Sequence, residues 1–263
     1  MSKKMYLNYQ FQPAIQQPNA QTMLFLHGLF GDMNNLGIIA RKFAEQFNIL
    51  RVDLRNHGRS FHSEQMNYSL MAQDLIDLLT YLNITEVIVV GHSMGGKTAM
   101  TLAHMAPELI DKLVVIDIAP VSNPLNRHDN IFEGLFAVKA SQALTRQQAQ
   151  QAMQNLINEQ EQPFLLKSFD AQSSERFHFN LSALKAQYPY LMDWQTVFFD
   201  KPTLFIKGAD SDYIQAKDTA TILAQFPQAI SFIVANANHW VHVEKPDAVV
   251  RAITKFLNKD QRL

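Results

Sequence analysis

The sequence predicts an α/β fold, a mostly parallel sheet with helices on both faces, and three observations predict it. Short apolar runs of strand length recur along the chain, and amphipathic helical patterns separate them. This alternation fails once, between about residues 121 and 200, and then resumes. Continuous rather than alternating apolar runs are what strands need when helical layers cover both faces of a parallel sheet.

Residues 6–11 read as a first strand. Residues 23–26, 49–52, 87–90, 113–116, 203–206 and 231–234 each read as a buried strand. The clearest helix is 68–82, where Leu70, Met71, Leu75, Leu78, Leu79 and Leu82 recur at helical spacing. Residues 97–105 read as helical, separated from the run at 87–90 by a short turn, and 246–257 read as a closing helix. Within the interruption, 130–140 and 146–159 read as helices among irregular polar segments, with 146–154 glutamine-rich and solvated. An insertion in such a sheet sits over the C-terminal ends of the strands, where ligands bind. The expected organisation is a core domain of residues 1–120 and 201–263 with an inserted helical cap of residues 121–200.

A chain of 263 residues that is 47% hydrophobic suits one core with an insertion and excludes a disordered chain. A formal net charge of -1 argues against nucleic acid or an anionic membrane as partner. With no cysteine, a disulfide framework, a thiolate metal site and a cysteine nucleophile are all excluded. Residues 1–11 carry two lysines but no apolar stretch of signal-peptide length follows. No apolar segment approaches the ~18 residues that span a bilayer. A cytoplasmic protein is the expectation.

The chemistry begins at Gly91-His92-Ser93-Met94-Gly95-Gly96, between the strand at 87–90 and the helix that follows. This is G-x-S-x-G in a strand-to-helix setting. The turn must be tight to lift Ser93 Oγ above the sheet, and glycines two before and two after it remove clashing Cβ atoms. The new helix points its N-terminus at the reacting centre, so the Met94 N–H is free for a developing oxyanion.

Gly91, four further residues, Gly96-Lys97-Thr98 also matches a phosphate-binding loop, with Leu113-Val114-Val115-Ile116-Asp117 as its partner strand. That reading gives no role to two other features. His27-Gly28-Leu29-Phe30-Gly31 follows a strand where an acyl-transfer enzyme places its second oxyanion donor, here the Leu29 N–H. Asn238-His239-Trp240 follows the last strand, where a late general base belongs. Among nine histidines its main competitor is His242, which approaches the closing helix and reads as structural. The acid has three candidates on spacing alone. Asp117 ends a strand among apolar neighbours and needs a partner, whereas Asp210 and Asp212 lie in the polar turn Gly208-Ala209-Asp210-Ser211-Asp212.

With the elbow, His27-Gly28, Asp53-Leu54-Arg55-Asn56-His57-Gly58-Arg59-Ser60 and His239-Trp240-Val241-His242, the chain resembles the α/β-hydrolase family. Within it, the chain is similar to small bacterial esterases that also act as acyl-CoA thioesterases and have a mitochondrial animal relative. The likeness runs over nearly the whole chain, including Ile116-Asp117-Ile118-Ala119-Pro120 and Arg127-His128-Asp129. It implies a Ser93–Asp117–His239 triad. The aspartates at 210 and 212 depart from the subgroup's pattern. The segment 53–60 is expected to shape the loop beneath the site.

The expected function is hydrolysis of a carboxylic ester or thioester, acyl-CoA included, through an acyl-enzyme on Ser93 with Leu29 and Met94 in the oxyanion hole. Neither a metal nor an organic cofactor is called for. A serine at the elbow argues against dehalogenase or epoxide hydrolase chemistry, but a carbon–carbon bond hydrolase shares the triad. Phe132, Leu135, Phe136, Met153, Phe164, Leu165, Phe169 and Trp194 are candidates for an acyl groove, most of them expected to form the cap's own core.

Overall fold

The computed structural model describes residues 5–17 and 19–258. The predicted strand at 6–11 lies within them, whereas residues 1–4 of the amino-terminal segment fall outside. Seven strands form one sheet: β1 Tyr9–Gln12, β2 Thr22–Leu26, β3 Asn48–Val52, β4 Val87–His92, β5 Ile110–Ile116, β6 Thr203–Gly208 and β7 Ala229–Val234. Their order is β1-β3-β2-β4-β5-β6-β7. Only the β1–β3 pair is antiparallel, with Tyr9 opposite Val52. The other pairs are parallel, and their registers place Gly91 beside Leu26 and Ile116 between His92 and Ile206.

The alternation along each central strand feeds two cores. Leu24, Leu26, Val87, Val89, Leu113 and Val115 point to one face, where α2 (Tyr68–Tyr81), α3 (Met94–Met105) and α8 (Thr219–Gln225) pack. Met23, Phe25, Ile88, Val90, Val114 and Ile116 point to the other, against α1 (Gly37–Arg41) and α10 (Pro246–Leu257). The reading of 231–234 as a buried strand needs correction. β7 is the sheet's edge, and Ile230 and Ile233 on it are exposed. The strand at 6–11 begins later than expected, at Tyr9, and is the opposite edge.

Between β5 and β6 the chain forms α4 (Asp129–Ala140), α5 (Arg146–Met153), α6 (Gln162–Leu166) and α7 (Leu181–Met192). The helix expected over 146–159 stops at Met153, and turns lead into α6. α7 carries Pro189 in its interior, where the missing N–H weakens a local helix signal, yet its buried face of Leu181, Leu184, Tyr188 and Leu191 holds it. The Asn180 side chain caps it by accepting the Ala183 N–H at 3.2 Å. The two chain passages into and out of this segment meet where the Asn123 N–H donates to Met192 O at 2.7 Å. A short helix, α9 (Val241–Glu244), precedes α10. Among the described residues no helix is long and apolar enough to cross a membrane.

Candidate active site

β4 passes into α3 through a single residue, Ser93, which adopts φ 53°. Such a left-handed backbone costs a non-glycine residue of order 1–3 kcal/mol and persists only where neighbours enforce it. The enforcement is visible. The Ser93 N–H donates to Ile116 O at 3.0 Å on one side, and its carbonyl accepts the first α3 bond, from Lys97 N, at 3.0 Å. A Cβ on Gly95 would lie 2.3 Å from Leu26 O, and one on Gly91 would lie 2.3 Å from Gly95 O. Only glycines allow the helix to start this close to β2. No phosphate-sized loop exists here, since Gly91 is in the strand and Gly95 and Gly96 are in the helix.

Lys97, the cation of the nucleotide reading, points away from the site. It is buried, its Nζ has no hydrogen-bond partner among the described residues, and it sits 5.6 Å from the Tyr68 ring and 5.5 Å from that of Trp194.

His239 lies on the loop after β7. Its approach is fixed by Gly208, where a Cβ would meet Asn238 O at 2.4 Å. The His92 Nε2–H donates to the His239 carbonyl at 2.9 Å, and Glu244 accepts the Asn238 N–H at 3.0 Å. The Ser93 hydroxyl then donates to His239 Nε2 at 3.0 Å, and His239 Nδ1–H donates to Asp117 Oδ2 at 2.8 Å.

Of the three candidate acids, the structure brings only Asp117 to the imidazole. Asp117 follows β5, is 0% exposed and has φ 53°. Its Oδ1 accepts the Gly208 N–H at 2.9 Å, and its Oδ2 also accepts from the Ser211 hydroxyl. Asp210 is exposed, and Asp212 pairs with Arg127 instead. His242 hydrogen-bonds neither Ser93 nor Asp117. It is buried on α9 with its ring 4.2 Å from that of His92.

Burial pushes the Asp117 carboxyl up to about 6, against the lowering by the Ser211 hydroxyl and the Gly208 N–H. Burial, reinforced by the Arg127 guanidinium and opposed by Asp212, holds the His239 imidazole below its ordinary value, so it is neutral at neutral pH.

The turn after β2 supplies donors on the other side. The Phe30 and Gly31 N–H groups are engaged by His57 Nε2 and Gly28 O, whereas among the described residues no hydrogen bond uses the Leu29 N–H. Met94 is the first residue of α3, so its N–H has no acceptor within the helix. The segment 53–60 braces this turn from below. Asp53 accepts from the Met33 and Arg59 N–H groups at 2.8 and 2.9 Å, and Arg55 forks onto Asp74.

Ser93 and His239 open into a cavity of about 570 Å³ that Leu29 also lines. Residues of the 121–200 segment form much of its wall, Arg127, His128, Ile131, Phe164 and Leu165 among them. Of the eight groove candidates only Phe164 and Leu165 reach this cavity. Phe132, Leu135 and Met153 are core, and Phe136, Phe169 and Trp194 pack partly buried against it. Ser211 and Tyr213 carry no role legible in the sequence, and Arg127 stands out there only through the resemblance. Single polar or aromatic residues in a turn carry no local signal of what they meet.

Residues 21–246 match the family model described as alpha/beta hydrolase fold. The chain is 47% identical over 256 residues to Esterase YbfF of Escherichia coli, covering 97% of this chain and 100% of that one. It is 37% identical over 249 residues to the sn-1-specific diacylglycerol lipase ABHD11 of Mus musculus, covering 89% and 80%. Among solved structures, a marine microorganism esterase superposes with a TM-score of 0.90 at 31% identity, covering 96% of this chain and all of that one. The chain belongs to the α/β-hydrolase fold family.

Proposed function

We propose that this protein is a serine hydrolase that cleaves carboxylic esters and thioesters through an acyl-enzyme on Ser93. The observation that carries the reading is the unbroken relay from the Ser93 hydroxyl through His239 to the fully buried Asp117. Neutral His239 takes the proton as Ser93 Oγ attacks the carbonyl. The oxyanion is stabilised by the N–H groups of Met94 and Leu29, and the imidazolium by Asp117. His239 then donates to the leaving group and next activates the water that releases the acid. Asp117, held by Ser211 and Gly208, keeps the imidazole in the tautomer that presents a bare Nε2 to serine.

In this reading residues 121–200 act as a cap whose Phe164, Leu165 and Ile131 meet the acyl group. Arg127 and His128 give the same cavity a polar side for a larger, charged leaving group such as coenzyme A. Ester hydrolysis agrees with the names of the relatives, and thioester hydrolysis rests on the resemblance to the small bacterial esterases.

The test is Ser93→Ala assayed on p-nitrophenyl esters and acyl-CoAs of graded length. The variant is expected to fold, to lose roughly 10³-fold or more in kcat, and to resist the fluorophosphonate that labels the wild type. Retained turnover in the variant overturns the assignment.

A further inference from the structure

One residue joins the oxyanion turn to both the core and the 121–200 segment through its backbone: Phe30. Its N–H donates to His57 Nε2 at 3.2 Å, and its carbonyl accepts from Ser168 Oγ at 3.2 Å. Phe30 has φ 64°, a left-handed backbone that a bulky residue leaves readily unless held. The ring adds to the clamp, lying edge-on to Phe132 of α4 at 5.4 Å and 5.2 Å from Phe179. Next to His57, the Asn56 carbonyl accepts the Asn180 N–H at 2.9 Å, just before α7.

His57 is suited to its part by its tautomer. Its Nδ1–H donates to Arg55 O at 2.9 Å, which leaves Nε2 bare as an acceptor. The ring is fully buried, and burial lowers it to about 3, so it remains a neutral acceptor throughout the working pH range. Leu29, whose N–H is unused among the described residues, immediately precedes the clamped residue.

We propose that His57 and Ser168 are positioning residues that hold the Phe30 backbone on both sides of its Cα and thereby aim the Leu29 N–H at the oxyanion, so that seating of the cap and transition-state stabilisation are linked. The proposal rests on the acyl-transfer reading above. Neither residue touches substrate, so their loss weakens binding of the tetrahedral state and leaves ground-state binding intact.

Three variants test this on the full chain: His57→Leu, which removes the acceptor; His57→Gln, which restores one through Oε1; and Ser168→Ala. An oxyanion donor is worth about 10²–10³ in kcat, so misaiming one is expected to cost roughly 10- to 100-fold in His57→Leu. KM stays within about threefold, and affinity for an alkyl boronic acid falls by the same factor as kcat. The acid limb of the pH profile does not move, because His239 is untouched. His57→Gln recovers most of kcat, and Ser168→Ala loses about three- to tenfold.

Folding is checked by circular dichroism, and should His57→Leu not fold, Ser168→Ala decides alone. Wild-type kcat and boronate affinity in a folded His57→Leu, or in Ser168→Ala in its place, overturn the proposal, as does a loss confined to KM. Failure of the acyl-transfer reading is distinct, because it shows as turnover in Ser93→Ala whatever the His57 variants do.

Discussion

The phenol ring of Tyr213 lies face to face on the imidazole of His239, with centroids 3.6 Å apart and planes 12° from parallel. The Arg127 guanidinium covers the remaining face of Tyr213, 3.7 Å from its centroid, and is itself paired with Asp212. A stack of cation, phenol and imidazole fixes the plane of the histidine ring. It also places a positive charge across the phenol from the ring on which an imidazolium would form.

That placement sets a pH dependence. Burial and then Arg127 lower the His239 imidazole, and the general base must be unprotonated, so activity persists as pH falls below the ordinary imidazole range. The acid limb of kcat/KM is expected below 6.5, with Asp117 and His239 titrating as a pair. Arg127→Gln removes one lowering influence and should move the limb upward. A wild-type limb above 6.5, or one that falls in the variant, contradicts the geometry.

The three aspartates give a second comparison. Asp117→Asn should cut kcat by roughly 10²-fold or more with a much smaller change in KM, because an amide orients the wrong tautomer and stabilises no imidazolium. Asp210→Asn and Asp212→Asn should each stay within about tenfold, since neither meets His239. Circular dichroism must accompany the kinetics, as a buried Asn left unpaired also destabilises. An inactive Asp210 or Asp212 variant beside an active Asp117→Asn would mean the acid is elsewhere.

Lys97 offers a stability test away from the chemistry. Burial lowers its ammonium to about 7, with Asp193 opposing. The unfolded chain keeps that proton to about 10.4, so between these values it binds more protons than the fold and stability rises with pH. Below about 7 the full cost is present, a few kcal/mol at ~1.4 kcal/mol per unit. Lys97→Met should therefore raise Tm by about 3 °C or more at pH 7, a gain that shrinks toward pH 10. Esterase activity should change little, and millimolar ATP should leave the wild-type Tm where it is.

Gly95→Ala probes the elbow itself. Its Cβ would meet two backbone carbonyls, Leu26 O at 2.3 Å and His27 O at 2.5 Å, and neither can swing aside as a side chain would. Urea unfolding should show a loss of about 1–3 kcal/mol, as for other overpacked sites. Because those carbonyls lead into the oxyanion turn, kcat should fall as well. Unchanged stability would show that β2 and α3 have room to part.

Short-range chemistry in the chain was enough to locate every strand to within a few residues and to single out Ser93 and His239. Side-chain alternation and the Cβ clashes of a tight turn are properties of adjacent residues, and glycines at 91 and 95 announce them. Contacts across long separations carried no such signal. Asp117 lies 122 residues from the histidine it meets, and only packing of β5 beside β6 buries it against Gly208 and Ser211 while leaving Asp210 in water. The exposure of β7 follows from its having one neighbour in the sheet, which its own apolar run does not reveal. α7 is not legible in the sequence because its proline opposes a helix locally, and its burial, which outweighs that, comes from partners elsewhere in the chain. The Tyr213 stack and the His57–Phe30 clamp belong to the same class: each joins residues tens of positions apart, and only the folded backbone brings them within 4 Å.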